Sequence, residues 1–247
     1  MDHSRRGALK GIIGTSAAAF AAAALPSGVR AQDIKPAPVG GGVGAGKHEV
    51  VPLPFDAAKL RDISEKMISN HHGKNYAGAV KNLNKTEEAL ALITRDTSGF
   101  EVGGLRRAEL MFTNSVIYHE HYFGNLGGNG KVSGRAEKLL GDVYGGMGRW
   151  EELFIATGMS LGGGSGWTVL DYNFHTNEIR TYWADHHTLG LAYAKPLLVM
   201  DMYEHAYQLD YGPNHAKYID AFFANINWDE VNKRVEKAEA AAKVLRS

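Results

Sequence analysis

Cysteine is absent from the 247 residues. Its absence excludes a disulfide framework, a thiolate zinc site and a cysteine nucleophile, so any metal must sit on His, Asp or Glu. Net charge is also lacking: 27 basic and 27 acidic residues cancel, and nucleic-acid binding has no compositional support. No apolar run is long enough for a comfortable bilayer span; Gly11 to Leu25 is the closest, and it is short for one. What the chain does have is 11 His, which supply ligand candidates, and length for one large or two modest domains around a real core.

The N-terminus reads as an address and not as part of the fold. Ser4-Arg5-Arg6-Gly7-Ala8-Leu9-Lys10 is a twin-arginine pattern, and Gly11 to Leu25 has the length and small apolar composition of a signal core. Pro26 and Gly28 break it, and Val29-Arg30-Ala31 offers small residues for cleavage, so residues 1–31 are expected to be a signal peptide. The expected location is therefore periplasmic or otherwise exported, with no transmembrane span in the mature chain. That chain carries 23 basic and 26 acidic residues. A twin-arginine route moves folded protein, which suits a protein that takes up a metal before leaving the cytoplasm. Residues 32–47 form a Gly/Pro-rich linker. Within it Gly41-Gly42-Val43-Gly44-Ala45-Gly46-Lys47 imitates a phosphate loop, but no strand precedes it and His48 stands where Ser or Thr should hold magnesium.

Two domains are expected after the linker, 48–130 and 131–247. Asp56 to about Leu92 reads as two helices, with Leu60, Ile63, Met67 and His71 on one stripe. Leu105 to Phe123 reads as a long helix carrying Leu110, Met111, Ser115 and Tyr118 at helical spacing, closed by the glycines of Gly124 to Gly130. Ala136 to Phe154 is helical with glycine interruptions. Trp167 to Phe174 and Glu178 to Trp183 read as strands about the turn His175-Thr176-Asn177, Pro196 to Met200 as a third strand, and Asn214 to Ser247 as helix. The fold class expected is α+β: a helical hairpin domain, then an α/β domain with a small three-stranded antiparallel sheet.

Chemistry concentrates at Asp201-Met202-Tyr203-Glu204-His205-Ala206-Tyr207. A carboxylate and an imidazole four residues apart, at the mouth of a buried strand, make half of a transition-metal site. His71 and His121 are two further imidazoles on helices.

With these residues in view the chain resembles the iron/manganese superoxide dismutases, from Leu53-Pro54-Phe55-Asp56 to Asn227-Trp228. The resemblance rests on His71-His72-Gly73-Lys74 with Leu83-Asn84, Phe112-Thr113-Asn114 leading to His121, Gly164-Ser165-Gly166-Trp167, the Asp201 to Tyr207 stretch, and Ile226-Asn227-Trp228. It implies one iron or manganese ion per chain on His71, His121, Asp201 and His205, with His72, His119 and His187 as neighbours. It also implies conversion of superoxide to dioxygen and hydrogen peroxide, and a homodimer in which Glu204 crosses to the partner's copy of His205. Trp167 and Tyr207 are implied to surround the ligands.

The pattern of the family is broken in places. Its members usually carry His-His four and five residues after the first ligand and a gate Tyr eight after it; here Asn75, Tyr76 and Ala79 stand there. Gln208 replaces a Tyr that reaches across the dimer, and Val169 replaces a second Trp after Trp167. The side chain that bonds the metal's solvent comes either four residues before the helix ligand, here Ile117, or from a position that aligns with His186, expected to be catalytic. Two readings follow: an exported dismutase with an altered channel, or a catalytically weak metal-binding protein that acts as a metal carrier or as a subunit of an envelope complex.

Overall fold

The computed structural model describes residues 45–161 and 163–245. The twin-arginine segment and most of the linker lie outside them. Among the described residues no helix is long and apolar enough to cross a membrane.

Two antiparallel helices carry the first half. The first begins as α1 (Glu65–Asn70), passes through one π-helical stretch, His71–Tyr76, and continues as α2 (Ala77–Leu90). Ser64, and not the Asp56 region, starts α1: its side chain accepts from the Met67 amide, and only a 3₁₀ turn at Ala57–Lys59 precedes it. A π-helical turn inside an α-helix is a local widening that frequently marks a functional site, and here it holds His71.

The partner helix α3 runs Gly99–Gly124, six residues longer at its start than the apolar pattern indicated. Ser98 caps it by accepting from the Glu101 amide, so a serine N-cap outweighs the early glycines Gly99, Gly103 and Gly104. Its buried residues are Ser115, Val116, Tyr118, His119, Tyr122 and Phe123, a stripe at i, i+3, i+4 and i+7 that packs on α2 and the sheet.

The helical stretch expected over Ala136–Phe154 is two helices, α4 (Gly134–Tyr144) and α5 (Met147–Met159). Gly145 at φ +80° and Gly146 at φ +147° make the break, in backbone that residues with a Cβ rarely adopt. The sheet has the order β2-β1-β3 and is antiparallel throughout, with β1 Trp167–Asn173, β2 Glu178–Ala184 and β3 Ala194–Asp201. β1 is central and buried along its whole length, and Trp167 pairs with Asp201 in its register to β3. That register sets an indole beside a carboxylate at one end of the sheet.

After β3 come a 3₁₀ turn, Glu204–Ala206, and α6 (Gln208–Tyr211), α7 (His215–Ala224) and α8 (Trp228–Leu245). Arg234 of α8 is buried and donates to the carbonyls of His121 and Leu197 and to Glu230, tying α8 to the end of α3 and to β3. Trp150, fully buried, packs on Phe154, Phe223 and Trp228 and joins α5 to α7 and α8.

Candidate metal centre

Four donors converge where α3, the π-helical turn and the end of β3 meet: His71, His119, Asp201 and His205, with ligand atoms all within 4.8 Å of one another. The Asp201 Oδ2 atom is their common point. It lies 3.1 Å from His71 Nε2, 3.2 Å from His205 Nε2 and 3.7 Å from His119 Nε2. Asp201 and His71 have no exposed side-chain surface, and His119 almost none.

The site is built so that lone pairs face inward. His119 Nδ1 donates to the Ser115 carbonyl at 2.7 Å, which fixes the tautomer and leaves Nε2 as a bare acceptor. Asp201 Oδ1 accepts from the Tyr203 amide at 2.8 Å, and the Tyr218 hydroxyl donates to the Asp201 carbonyl at 2.7 Å. Both ring nitrogens of His71, and Nε2 of His119, are buried without any hydrogen-bond partner. Buried polar atoms left unpaired are costly, and the two orphaned Nε2 atoms of His71 and His119 beside one carboxylate oxygen make a donor set that fits a cation.

Electrostatics agree. Burial pushes the His119 pKa down to about 3 and lowers that of His71, so both rings are neutral and able to ligate. For Asp201, burial pushes upward as the largest single influence, but the neighbouring His205 and His71 rings together outweigh it, and the carboxyl stays ionised. Three imidazoles and one carboxylate suit iron or manganese.

His121, expected as a ligand, is not in the cluster. It lies on another side of α3, donates from Nδ1 to the Ile117 carbonyl at 2.7 Å, and faces Arg234. Burial first, and then the Arg234 charge, push its pKa down to about 4; a guanidinium there would repel a metal cation. Two residues along an α-helix is a rotation of about 200°, so His119 and His121 cannot serve the same site. Phe112-Thr113-Asn114 leads along α3 to both rings, and it is His119 that joins the cluster. The position four before the ligand is consequently Ser115, whose hydroxyl lies 3.3 Å from His119 Nδ1, and not Ile117. The signal was available: Ser115, His119 and Tyr122 share the buried stripe, and His121 does not.

His186 is also displaced from its expected role. Its Nδ1 turns back onto its own loop, where it accepts from the Thr188 amide at 3.2 Å. The neighbouring His187 takes the place beside the cluster. Trp167 Nε1 donates to His187 Nδ1 at 3.0 Å, and the His187 ring stacks on Tyr203 at 4.6 Å and 12°. Burial pushes its pKa down to about 4. Trp167 itself stands edge-on to His119, ring centres 5.0 Å apart.

Among the other expected site residues, Tyr76 is buried with its ring 6.1 Å from that of His119. Its hydroxyl donates to Glu120 and accepts from the Val51 amide. Asn75 is half-buried, Ala79 buried and Gln208 exposed. Tyr207 is buried and packs on His215 and Tyr218. Glu204 is exposed, and among the described residues its carboxylate has no partner within the chain.

Comparison with known proteins agrees with this geometry. Residues 132–234 match the family model for the C-terminal domain of iron/manganese superoxide dismutases. A superoxide dismutase [Fe] of Cupriavidus metallidurans is 42% identical over 192 residues, covering 77% of this chain and 98% of the relative. One of the same name from Aquifex pyrophilus is 33% identical over 81% of this chain and 98% of the relative. A superoxide dismutase [Mn] of Halobacterium salinarum is 31% identical over 78% and 96%.

Proposed function

This chain belongs to the iron/manganese superoxide dismutase family, and from that premise we propose that it dismutates superoxide at His71, His119, Asp201 and His205 after export to the cell envelope. The observation that carries the assignment of ligands is the set of orphaned nitrogens of His71 and His119 around Asp201 Oδ2.

When iron or manganese is bound, it supplies the one-electron couple that dismutation requires. The chain's own residues do the rest. Ser115 holds His119 so that Nε2 points inward. Asp201 contributes negative charge in a dry site, where it attracts a cation more strongly than in water. Trp167 donates to His187 Nδ1, so the neutral His187 ring carries its proton on Nε2. That places a hydrogen-bond donor next to the cluster, the role the expected sequence position assigned to His186. Peroxide leaves only as it is protonated, so a donor that stays neutral and oriented at ordinary pH is the useful kind.

The test is superoxide decay after pulse radiolysis, comparing metal-loaded protein with the double variant Asp201→Ala, His205→Ala. The wild type is expected to accelerate decay in proportion to its concentration and the variant not at all. Equal decay would remove the enzymatic reading in favour of metal carriage or a place in an envelope complex.

Assembly as a homodimer is part of the proposal. The unpartnered, exposed Glu204 is adjacent to His205, whose Nε2 faces Asp201 at 3.2 Å; its opposite nitrogen is left for a partner's Glu204. Glu204→Ala should weaken both dimerisation and metal retention. Sedimentation of the wild type as a monomer at micromolar concentration would contradict this.

Export rests on Arg5 and Arg6. Arg5→Lys with Arg6→Lys should leave folded, metal-loaded protein in the cytoplasm. Its undiminished appearance in the periplasmic fraction would argue against the twin-arginine route.

A further inference from the structure

Asp171 lies on the same face of β1 as Trp167 and Val169, one pleat beyond Val169. It is 3% exposed, and its Oδ1 atom has no hydrogen-bond partner. Among the described residues no Lys, Arg or His pairs with it. A buried carboxyl group in that condition is costly, and burial alone pushes its pKa up to about 7.

Two neighbouring cavities have Asp171 in their walls. One, of about 250 Å³, is lined by Asn114, Ile117, Thr188 and Pro196 among others. The second, of about 260 Å³, is lined by Val169, Tyr182, Trp183 and Leu189 among others. Both share Tyr118, Asp171, Gly190 and Leu191. The backbone at Gly190 lies directly on the Tyr118 phenol: a Cβ there would come within 2.6 Å of its oxygen. Tyr118 in turn donates to the Leu189 carbonyl at 3.2 Å, so its hydroxyl proton is already committed. The rim is apolar and open, with Trp183 48%, Leu189 42% and Ile117 38% exposed.

The chemistry of the lining selects the ligand. A single carboxylate with no neighbouring imidazole or second acid is no cage for a metal ion, and the metal-capable group among the described residues lies elsewhere. An anion would meet Asp171. A wholly apolar ligand would leave the carboxylate unanswered. We propose that this cleft binds a small primary ammonium ion with an apolar body, its ammonium group donating to the Asp171 carboxylate and its body resting on Tyr118, Val169 and Leu191.

The test is calorimetric titration of the metal-loaded protein with benzylammonium above neutral pH, with benzyl alcohol as a neutral probe of the same shape. Saturable binding of one benzylammonium per chain is expected, with benzyl alcohol at least about tenfold weaker, as one desolvated charge-assisted bond implies. Asp171→Asn keeps the side-chain volume and should weaken benzylammonium binding by a similar factor. Val169→Trp should abolish it by filling the second cavity. Metal content should be unchanged in both variants. No saturable heat, equal binding of the alcohol, or undiminished binding to Asp171→Asn would each overturn the proposal.

Discussion

His119→Ala is expected to strip the protein of its metal, whereas His121→Ala keeps it. Three imidazoles surround Asp201 Oδ2, and removing one of them leaves the ion with an open, wet position and an uncompensated buried carboxylate. Loss of an outer partner of a ligand typically costs 10–100-fold in metal affinity; loss of the ligand itself should exceed that. The His121 side chain makes one hydrogen bond, to the Ile117 carbonyl, so its replacement should cost on the order of 1 kcal/mol of stability and no metal. Elemental analysis after dialysis against a chelator separates the two. Metal retained by His119→Ala and lost by His121→Ala would reverse the assignment.

The second large effect concerns turnover. In the proposed reading the channel lacks its proton-relaying groups, because Asn75, Ala79 and Gln208 occupy the places of a His and two Tyr. Tyr76 does not substitute for the missing gate: its hydroxyl is engaged by Glu120 and the Val51 amide. Amide side chains do not titrate near neutrality. Uptake of an electron from superoxide needs no proton relay, but release of peroxide does, so the latter half-reaction should limit the wild type. Wild-type rates below the diffusional ceiling, with early saturation, are expected. The triple change Asn75→His, Ala79→Tyr, Gln208→Tyr should raise the saturated rate by about tenfold or more, since positioned acid–base groups commonly contribute 10²–10⁴-fold. The three groups act as one network, so the single changes should each do little and not add. A triple variant no faster than the best single variant in pulse radiolysis would dispose of this account.

Sequence reasoning reached further into the fold than into the site's exact membership. The three strands, the helical first half and the Asp201–His205 pair were legible because each is a local pattern: β-branched apolar runs, helical spacing, and a fixed motif at a strand end. His71 was legible from its distance to Leu83-Asn84. His119 was missed because two imidazoles stand two residues apart on one helix, and a motif count from a distant Phe-Thr-Asn carries no knowledge of which side of the helix is buried. The stripe through Ser115, His119 and Tyr122 decides that question. The choice of His187 over His186 was not legible, for a different reason: adjacent loop residues have no periodicity to separate them, and the Trp167–His187 hydrogen bond is a contact across 20 residues. Likewise the start of α3 was hidden by three glycines that a Ser98 cap overrides.

The most direct test of the central claim is a crystal structure of the metallated protein with anomalous diffraction recorded at the iron and manganese absorption edges. One anomalous peak per chain is expected, bonded by His71, His119, Asp201 and His205, with His121 still turned toward Arg234. A peak bonded by His121, or metal bound only outside the four-residue cluster, would contradict it.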